Sequence, residues 1–454
     1  MSKIVFINQP SVGHLNSLLS IAIKMKSDGH DVRFFVPSIR LFKVGIQVFD
    51  TAIDIINRIE RNGIQVDLLP PHISHIWNAF FLPFKTGYNE TSHAFSMFFD
   101  GLEHYTHHIL KLIEINSPDV LVTDFAFPAT SIAADILNIP YVTVYHSGLP
   151  FRGTVVPPFG SGLPIGVVNS EIFKEYSSQE NQFLYRLDKR YNLARKRYGL
   201  QSIEPDLLRR PYSPWLNLVA SADIIEVPRN NLTDCTFFIG PCLGKRIEGN
   251  FDYEQLHQDK FKIYVSLGTV FNNKPKVFRQ IIRGLDNPNY QVIVSAGAAY
   301  QKLIRSELAQ NTKVFRSVPQ TNLLPKIDLF ISHGGNNSIN EALYCGKPII
   351  VMPVGGEQAD NASKIVFLGV GKRIDLFPFS EKLLQESVEE IRISNNFKKR
   401  AISIMESLKL TDGTSTAAQC IAWLAQEQKP LKKNSPHLTI TKESVRELLV
   451  CGSS

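Results

Sequence analysis

Residues Ser332–Pro348 read SHGGNNSINEALYCGKP. The apolar run Leu329–Ile331 stands just before this stretch, so it marks the passage from a buried strand into a helix. Free backbone N–H groups and the positive dipole end make such a helix start an anion site. Gly334 and Gly335 let the backbone come close to a ligand, and His333 and Ser338 add side-chain donors. The same residues also satisfy a plain structural reading. Ser338-x-x-Glu341 has the spacing of a capping box, in which serine and glutamate serve the helix's own free donors. Taken alone, the stretch leaves the phosphate cradle and the capped turn both open.

Strand and helix patterns alternate on either side of it. Before it come KIYVSLGT (strand and tight turn), VFRQIIRGL (helix), YQVIVSAG and TKVFRSV (strands). The first half opens on the strand Ile4–Ile7, a Gly-His turn and a helix with Leu15, Leu18, Leu19, Ala22, Ile23 and Met25 on its apolar face. GHDVRFFVP, PDVLVTDF and IPYVTVYH then read as further strands, with PATSIAADILN as a helix between the last two. Near-continuous apolar strands alternating with helices indicate parallel sheets covered on both faces. The linker SADIIEVPRNNLTDCTFFIGPCLGKR, with strands, prolines and a Gly-Pro turn, places a domain boundary near Pro241. The expected division is 1–240 for a first domain and 241–415 for a second. A helix at 416–430, clearest over Thr416–Gln426, packs back on the first domain, and 431–454 is a tail of unassigned role.

At 454 residues the chain is too long for one ordinary core and fits two domains. Its longest apolar runs are of strand length, far below the ~20 residues that cross a bilayer. The N-terminus reads as a strand and not as a signal peptide. Five cysteines, none spaced Cys-x-x-Cys, argue against a disulfide framework or structural zinc and for a cytoplasmic protein. Residues 1–242 carry 21 Lys and Arg against 22 Asp and Glu, while residues 243–454 carry 28 against 20. The excess of basic residues in the second half suits an anionic ligand held there.

The segment Val318–Ile374 resembles the signature box of the UDP-glycosyltransferases of the macrolide and plant secondary-metabolite type. Pro319-Gln320, the His333–Glu341 run, Gly346–Pro348, Glu357-Gln358 and Asn361-Ala362 occur in that family's order. The resemblance implies the GT-B fold, α/β with two facing Rossmann-like domains and a cleft between them. It implies that His333, Gly335, Asn337 and Ser338 bind the diphosphate and that Glu341 takes the ribose hydroxyls. Val318 and Gln320 would hold the uracil, Glu357 and Gln358 the donor sugar, and Ser266 and Thr269 a second loop near the nucleotide. The chain departs from the plant pattern: Gly334-Gly335-Asn336 replaces Cys-Gly-Trp, and Glu357 replaces the commoner aspartate. An acid-Gln pair favours a fully hydroxylated hexose such as glucose.

Transfer to a hydroxyl needs a base, and histidine titrates in the useful range. The family's Gly-His base corresponds to His14 in QPSVGHLNS, and its orienting aspartate to Asp124 in VLVTDFAF. A carboxylate on one imidazole nitrogen fixes the tautomer and stabilises the imidazolium. Ser17 stands where the family has proline. The diphosphate's charge is met by the helix start and the basic half, so neither metal nor cofactor is required.

Other signals carry less. Cys242 in GPCLG lies in the linker and reads as packing. His72, His75, His104, His107 and His108 lack the carboxylates or cysteines of a metal set and read as pocket or surface histidines. The helix Leu184–Tyr198 carries six basic residues, Arg186, Lys189, Arg190, Arg195, Lys196 and Arg197, and is a candidate for peripheral contact with an anionic membrane. Nucleic acid finds no motif. Trp77, Phe80, Phe81, Phe84, Phe95, Phe98 and Phe99 point to an apolar acceptor. The expected activity is inverting transfer of a hexose from a UDP-sugar to a hydroxyl of an apolar small molecule. A membrane-surface lipid or carotenoid glycosyltransferase and a UDP-sugar 2-epimerase are the alternatives.

Overall fold

The computed structural model describes residues 1–9, 12–37, 51–72, 96, 99–146, 148–203, 207, 209–243, 251–268, 273–355 and 357–433. The described chain forms two compact units, each built on one fully parallel sheet.

Seven strands make the first sheet: β1 (Lys3–Ile7), β2 (Asp31–Pro37), β3 (Gln65–Leu69), β4 (Val120–Asp124), β5 (Tyr141–Tyr145), β6 (Leu216–Val219) and β7 (Thr236–Phe238). Their order is β3-β2-β1-β4-β5-β6-β7. Alternate side chains of β1 enter different cores, as the period of two dictates. Ile4 and Phe6 join one core with α1 (Val12–Ser27) and α2 (Thr51–Glu60). Val5 and Ile7 join the other with α3 (Leu102–Asn116), α4 (Ala129–Leu137) and α5 (Glu171–Arg197). The linker carries one strand, β7, among the described residues, where the sequence suggested several.

The second sheet has six strands: β8 (Phe261–Ser266), β9 (Tyr290–Ser295), β10 (Thr312–Phe315), β11 (Leu329–Ser332), β12 (Ile349–Val351) and β13 (Gly371–Arg373). Their order is β10-β9-β8-β11-β12-β13. Ile263 and Val265 face a core with α6 (Pro275–Gly284), while Tyr264 stacks on Phe330, their ring centroids 5.0 Å apart. Later helices are α7 (Asn336–Tyr344), α8 (Gln358–Phe367), α9 (Glu381–Ile393) and α10 (Asn395–Lys409). The last described helix, α11 (Gly413–Glu427), begins three residues before the start expected from sequence. Its Ala417, Ile421 and Leu424 are buried in the first unit's core with Leu15 and Leu18 of α1.

In each sheet the strand order reverses once, between β1 and β4 and between β8 and β11. Ligands of doubly wound sheets bind outside the strands' carboxyl ends at such reversals.

Besides the boundary expected near Pro241 and the expected return of the last helix, the chain makes one excursion that the sequence did not suggest. Unit 2 consists of Gly160–Val167 and Lys245–Lys409, and the chain returns to unit 1 at Leu410. A carboxylate clip explains that excursion. Gly160 N–H and Gly162 N–H donate to the two oxygens of Asp360 at 2.5 and 2.8 Å. The Gly162 carbonyl accepts from Ser363 Oγ at 3.0 Å and from Arg373 Nη1 at 2.5 Å. Gly162 has φ +62°, and a Cβ there would stand 2.6 Å from the Ala359 Cβ, so the approach needs glycine. At the return, a Cβ on Gly413 would lie 2.5 Å from the Gly240 carbonyl oxygen.

Burial raises the Asp360 carboxyl to about 6, against the two glycine N–H bonds, which lower it. A raised carboxyl binds its proton in the folded state at a pH where the unfolded chain still leaves it ionised. Unit 2 is therefore expected to gain stability as pH falls through 6, fully by about 4, and to lose it as pH rises through 6. Each tenfold difference in proton affinity between the two states is worth ~1.4 kcal/mol, so the gain is on the order of 1–3 kcal/mol. Urea unfolding of unit 2 between pH 4.5 and 7 checks this, with the pH slope flattened in Asp360→Asn.

Among the described residues no helix is long and apolar enough to cross a membrane.

Candidate active site

At the reversal in the first sheet, His14 lies in the first turn of α1 and Asp124 ends β4. The β1–β4 pairing of Ile7 with Thr123 brings the two strand ends side by side. His14 Nδ1 and Asp124 Oδ2 are 2.6 Å apart, and the Ala126 N–H donates to Asp124 Oδ1 at 2.9 Å. Asp124 is fully buried, whereas His14 keeps part of its ring exposed. Burial would raise the Asp124 carboxyl. His14 and His146 beside it and its two hydrogen bonds outweigh that, so it is held below the ordinary carboxylate range. The Gln9 amide also hydrogen-bonds the His14 ring.

One neighbour was not anticipated. His146 follows β5, the strand next to β4, and is buried with its ring centroid 3.9 Å from that of His14. Its Nδ1 lies 4.0 Å from Asp124 Oδ1. Burial, reinforced by His14, lowers its pKa to about 3 despite Asp124, so this imidazole is neutral at ordinary pH. The sequence signal was its place directly after YVTVY, at the carboxyl end of a strand.

The reversal in the second sheet holds the glycine turn. Ser332 pairs with Ser266 across β11 and β8, and the His333 N–H donates to the Ser266 carbonyl at 3.3 Å. Gly334 has φ +93°, and a Cβ there would meet Val351 Cγ1 at 2.6 Å. Cβ atoms on Gly268 or Gly335 would each meet the His333 ring at 2.6 Å, so the imidazole sits between two glycines. Burial lowers His333 to about 4, and a neutral ring offers one N–H to an anion. The Asn361 amide fixes the turn from below by donating to the Gly334 carbonyl at 2.9 Å. Asn337 and Ser338 lie in the first turn of α7.

The capping box is not formed. The N-cap of α7 is Gly335, with φ −62° and ψ 138°, and it makes no side-chain cap hydrogen bond. Ser338 and Glu341 bond instead to Gln320, whose Nε2 donates to Ser338 Oγ at 3.2 Å and to Glu341 Oε2 at 2.7 Å. Tyr264 Oη donates in turn to Gln320 Oε1 at 3.3 Å. The Gln320 side chain thus orients the helix carboxylate. Val318, two residues earlier, is buried. Burial raises the pKa of Glu341, and the bond from Gln320 opposes this. Gln320→Leu should therefore lose Glu341's ionised form at a higher pH. A carboxyl ¹³C NMR titration of Glu341 from pH 4 to 8 in both proteins checks this.

Glu357 stands at the start of α8, and the buried Gln358 uses its Oε1 to accept from the Val354 and Gly355 N–H groups at 2.9 and 3.3 Å. Its NH₂ is then the group left to donate. Thr269 lies outside the described residues, as do His75, Trp77, Phe80, Phe81, Phe84, Phe95, Phe98 and the tail from 434. Phe99 is only 2% exposed and belongs to the first unit's core, so it does not line an acceptor pocket.

The remaining signals resolve as structure. Cys242 is buried with its thiol pushed up to about 12, unsuited to nucleophilic work. Arg190, Arg195 and Arg197 of α5 pair with Asp100, Asp135 and Glu103, so half of the basic face is spent on the protein itself. His72, His104, His107 and His108 cluster on and beside α3, with the His104 and His108 centroids 4.6 Å apart.

Residues 218–415 match the family described as UDP-glucoronosyl and UDP-glucosyl transferase. Over those residues the chain is similar to the UDP-glycosyltransferase family. NDP-glycosyltransferase YjiC of Bacillus subtilis is 25% identical to this glycosyltransferase over 91% of the chain and 95% of the relative. Zeaxanthin glucosyltransferase of Pantoea ananas is 23% identical over 71% of the chain and 75% of the relative. The crystal structure of the glycotransferase of kitacinnamycin superposes with a TM-score of 0.72 at 20% identity, covering 95% of this chain and all of that one. The fold of this glycosyltransferase is accordingly GT-B.

Proposed function

We propose that this glycosyltransferase moves glucose from UDP-glucose to a hydroxyl of an apolar small molecule, with inversion at the anomeric carbon. The observation that carries the reading is the 2.6 Å contact between His14 and the buried Asp124 at the first sheet's reversal. With Nδ1 bonded to the carboxylate, Nε2 is the nitrogen that takes the acceptor's proton, once the acceptor hydroxyl replaces the Gln9 amide that touches it at 2.9 Å. The acceptor oxygen attacks the anomeric carbon, its proton passes to Nε2, and the carbon–oxygen bond to the diphosphate breaks. Asp124 stabilises the imidazolium that results. The departing diphosphate carries its charge to the N–H groups and His333 at the start of α7, while Glu341 holds the ribose. This scheme needs no metal and no cofactor.

Glucose is supported by the Glu357-Gln358 pair and by the relative named for glucosyl transfer. That relative's name also gives it zeaxanthin as acceptor, and the aromatic-rich stretch of this chain's first half supports an apolar one. A cytoplasmic site of action fits the cysteine usage. The test is UDP release from UDP-glucose across a panel of apolar hydroxylated acceptors. Release that depends on acceptor supports the reading. Release that needs no acceptor and persists in His14→Ala would point to hydrolysis or epimerisation.

A further inference from the structure

We propose that His14, Asp124 and His146 form a binding site for one divalent transition-metal ion of the zinc type, and that filling it switches the transferase off. The three side chains each offer one ligand atom, and those atoms all lie within 4.8 Å of one another. His14 Nδ1 to Asp124 Oδ2 is 2.6 Å, and His146 Nδ1 to Asp124 Oδ1 is 4.0 Å. Ligands at about 2.0–2.2 Å from a tetrahedral zinc stand roughly 3.3–3.5 Å apart. The two contacts fall on different oxygens of Asp124, so both imidazoles must turn to one shared oxygen, and spacings of up to 4.8 Å must close by at most about 1.5 Å. Two imidazoles and a carboxylate suit zinc, cobalt or copper far better than magnesium or calcium. Among the described residues, the basic groups set against the buried Asp124 are these two imidazoles, so no lysine or arginine competes with an added cation. The partly exposed His14 provides the way in and leaves a fourth position open to water.

Loss of activity follows from the tautomer. To give Nδ1 to a metal, His14 must carry its proton on Nε2, the nitrogen that takes the acceptor's proton in the transfer reaction. The lone pair needed for catalysis is then gone without any covalent change. This consequence rests on the transferase reading, whereas the metal site itself does not.

Two measurements on the full chain, freed of metal by a chelator, test the two halves separately. Co²⁺ titration should give a strong visible band at one ion per chain, and Zn²⁺ should displace it. Zn²⁺ should abolish UDP release over the same concentration range, and EDTA should restore it. His146→Ala should lose the band and raise the half-inhibiting Zn²⁺ concentration at least about 10-fold. His146→Asn, which keeps a polar group in the space, should do the same and guards against misfolding. The proposal is overturned if the parent shows no band, or if band and inhibition survive both His146 variants. It is equally overturned if they vanish in His104→Ala/His108→Ala, which would put the metal on α3. A band with zinc-insensitive transfer would keep the site but remove the switch and the base role of His14. A band with no transferase activity at all would count against the proposed function alone.

Discussion

His14→Ala is expected to lower kcat for sugar transfer about 10³-fold while leaving the donor KM within about 3-fold of the parent. General-base catalysis is worth roughly 10²–10⁴ in rate, and His14 lies in the first unit whereas the glycine turn proposed to hold the diphosphate lies in the second. The lost term therefore falls on the chemical step and not on donor binding. Asp124→Asn should bring a loss of similar order by a different route. The amide can present its NH₂ to His14, favouring the tautomer with the proton on Nε2, and it leaves the imidazolium without a counter-charge. Steady-state kinetics on both variants, with donor affinity measured separately by calorimetry, decides the matter. A donor KM raised in step with the fall in kcat/KM would show that His14 binds and does not catalyse.

The second large effect is expected at Glu341. Its carboxylate is already bonded to Gln320 at 2.7 Å, one turn into α7, so it is oriented in advance for the ribose role proposed for it. Hydrogen bonds to a charged group are worth about 1.5–3 kcal/mol each, and two hydroxyls are at stake. Glu341→Ala should lower kcat/KM for UDP-glucose by about 10²–10³, mostly through KM. Sites that hydrogen-bond a hydroxyl reject the analogue lacking it, because a buried partner is left unmet. The parent should therefore prefer UDP-glucose over a 2′-deoxyuridine donor, and Glu341→Ala should lose most of that preference. Equal discrimination in parent and variant would remove Glu341 from the ribose.

The two sheets were legible because strand periodicity and Gly-rich turns are local properties of the chain. Legibility fails where a residue's partner is remote in sequence. SINE has the spacing of a capping box, yet Ser338 and Glu341 answer to Gln320, 18 and 21 residues away. Gly335, extended at the N-cap, leaves that alternative open. His14 and Asp124 are 110 residues apart and were paired only through resemblance to a family. His146 has no such precedent in the motif, and only the neighbouring of β4 and β5 brings it to the dyad. Asp360 sits inside the signature box, but its partners, Gly160 and Gly162, come from the other half of the chain. No pattern of spacing reports a bond across 200 residues.

That clip bears on how the protein can be recombined. Exchanging halves with a relative at a single junction near residue 241 would give each product a mismatched piece. Unit 2 would meet a foreign strap at 160–167, and unit 1 a foreign closing helix at Gly413–Glu427. A transplant that respects the architecture carries three segments together: 160–167 travels with 245–409, and everything from Leu410 stays behind. The smallest exchangeable part of this enzyme is discontinuous in its gene.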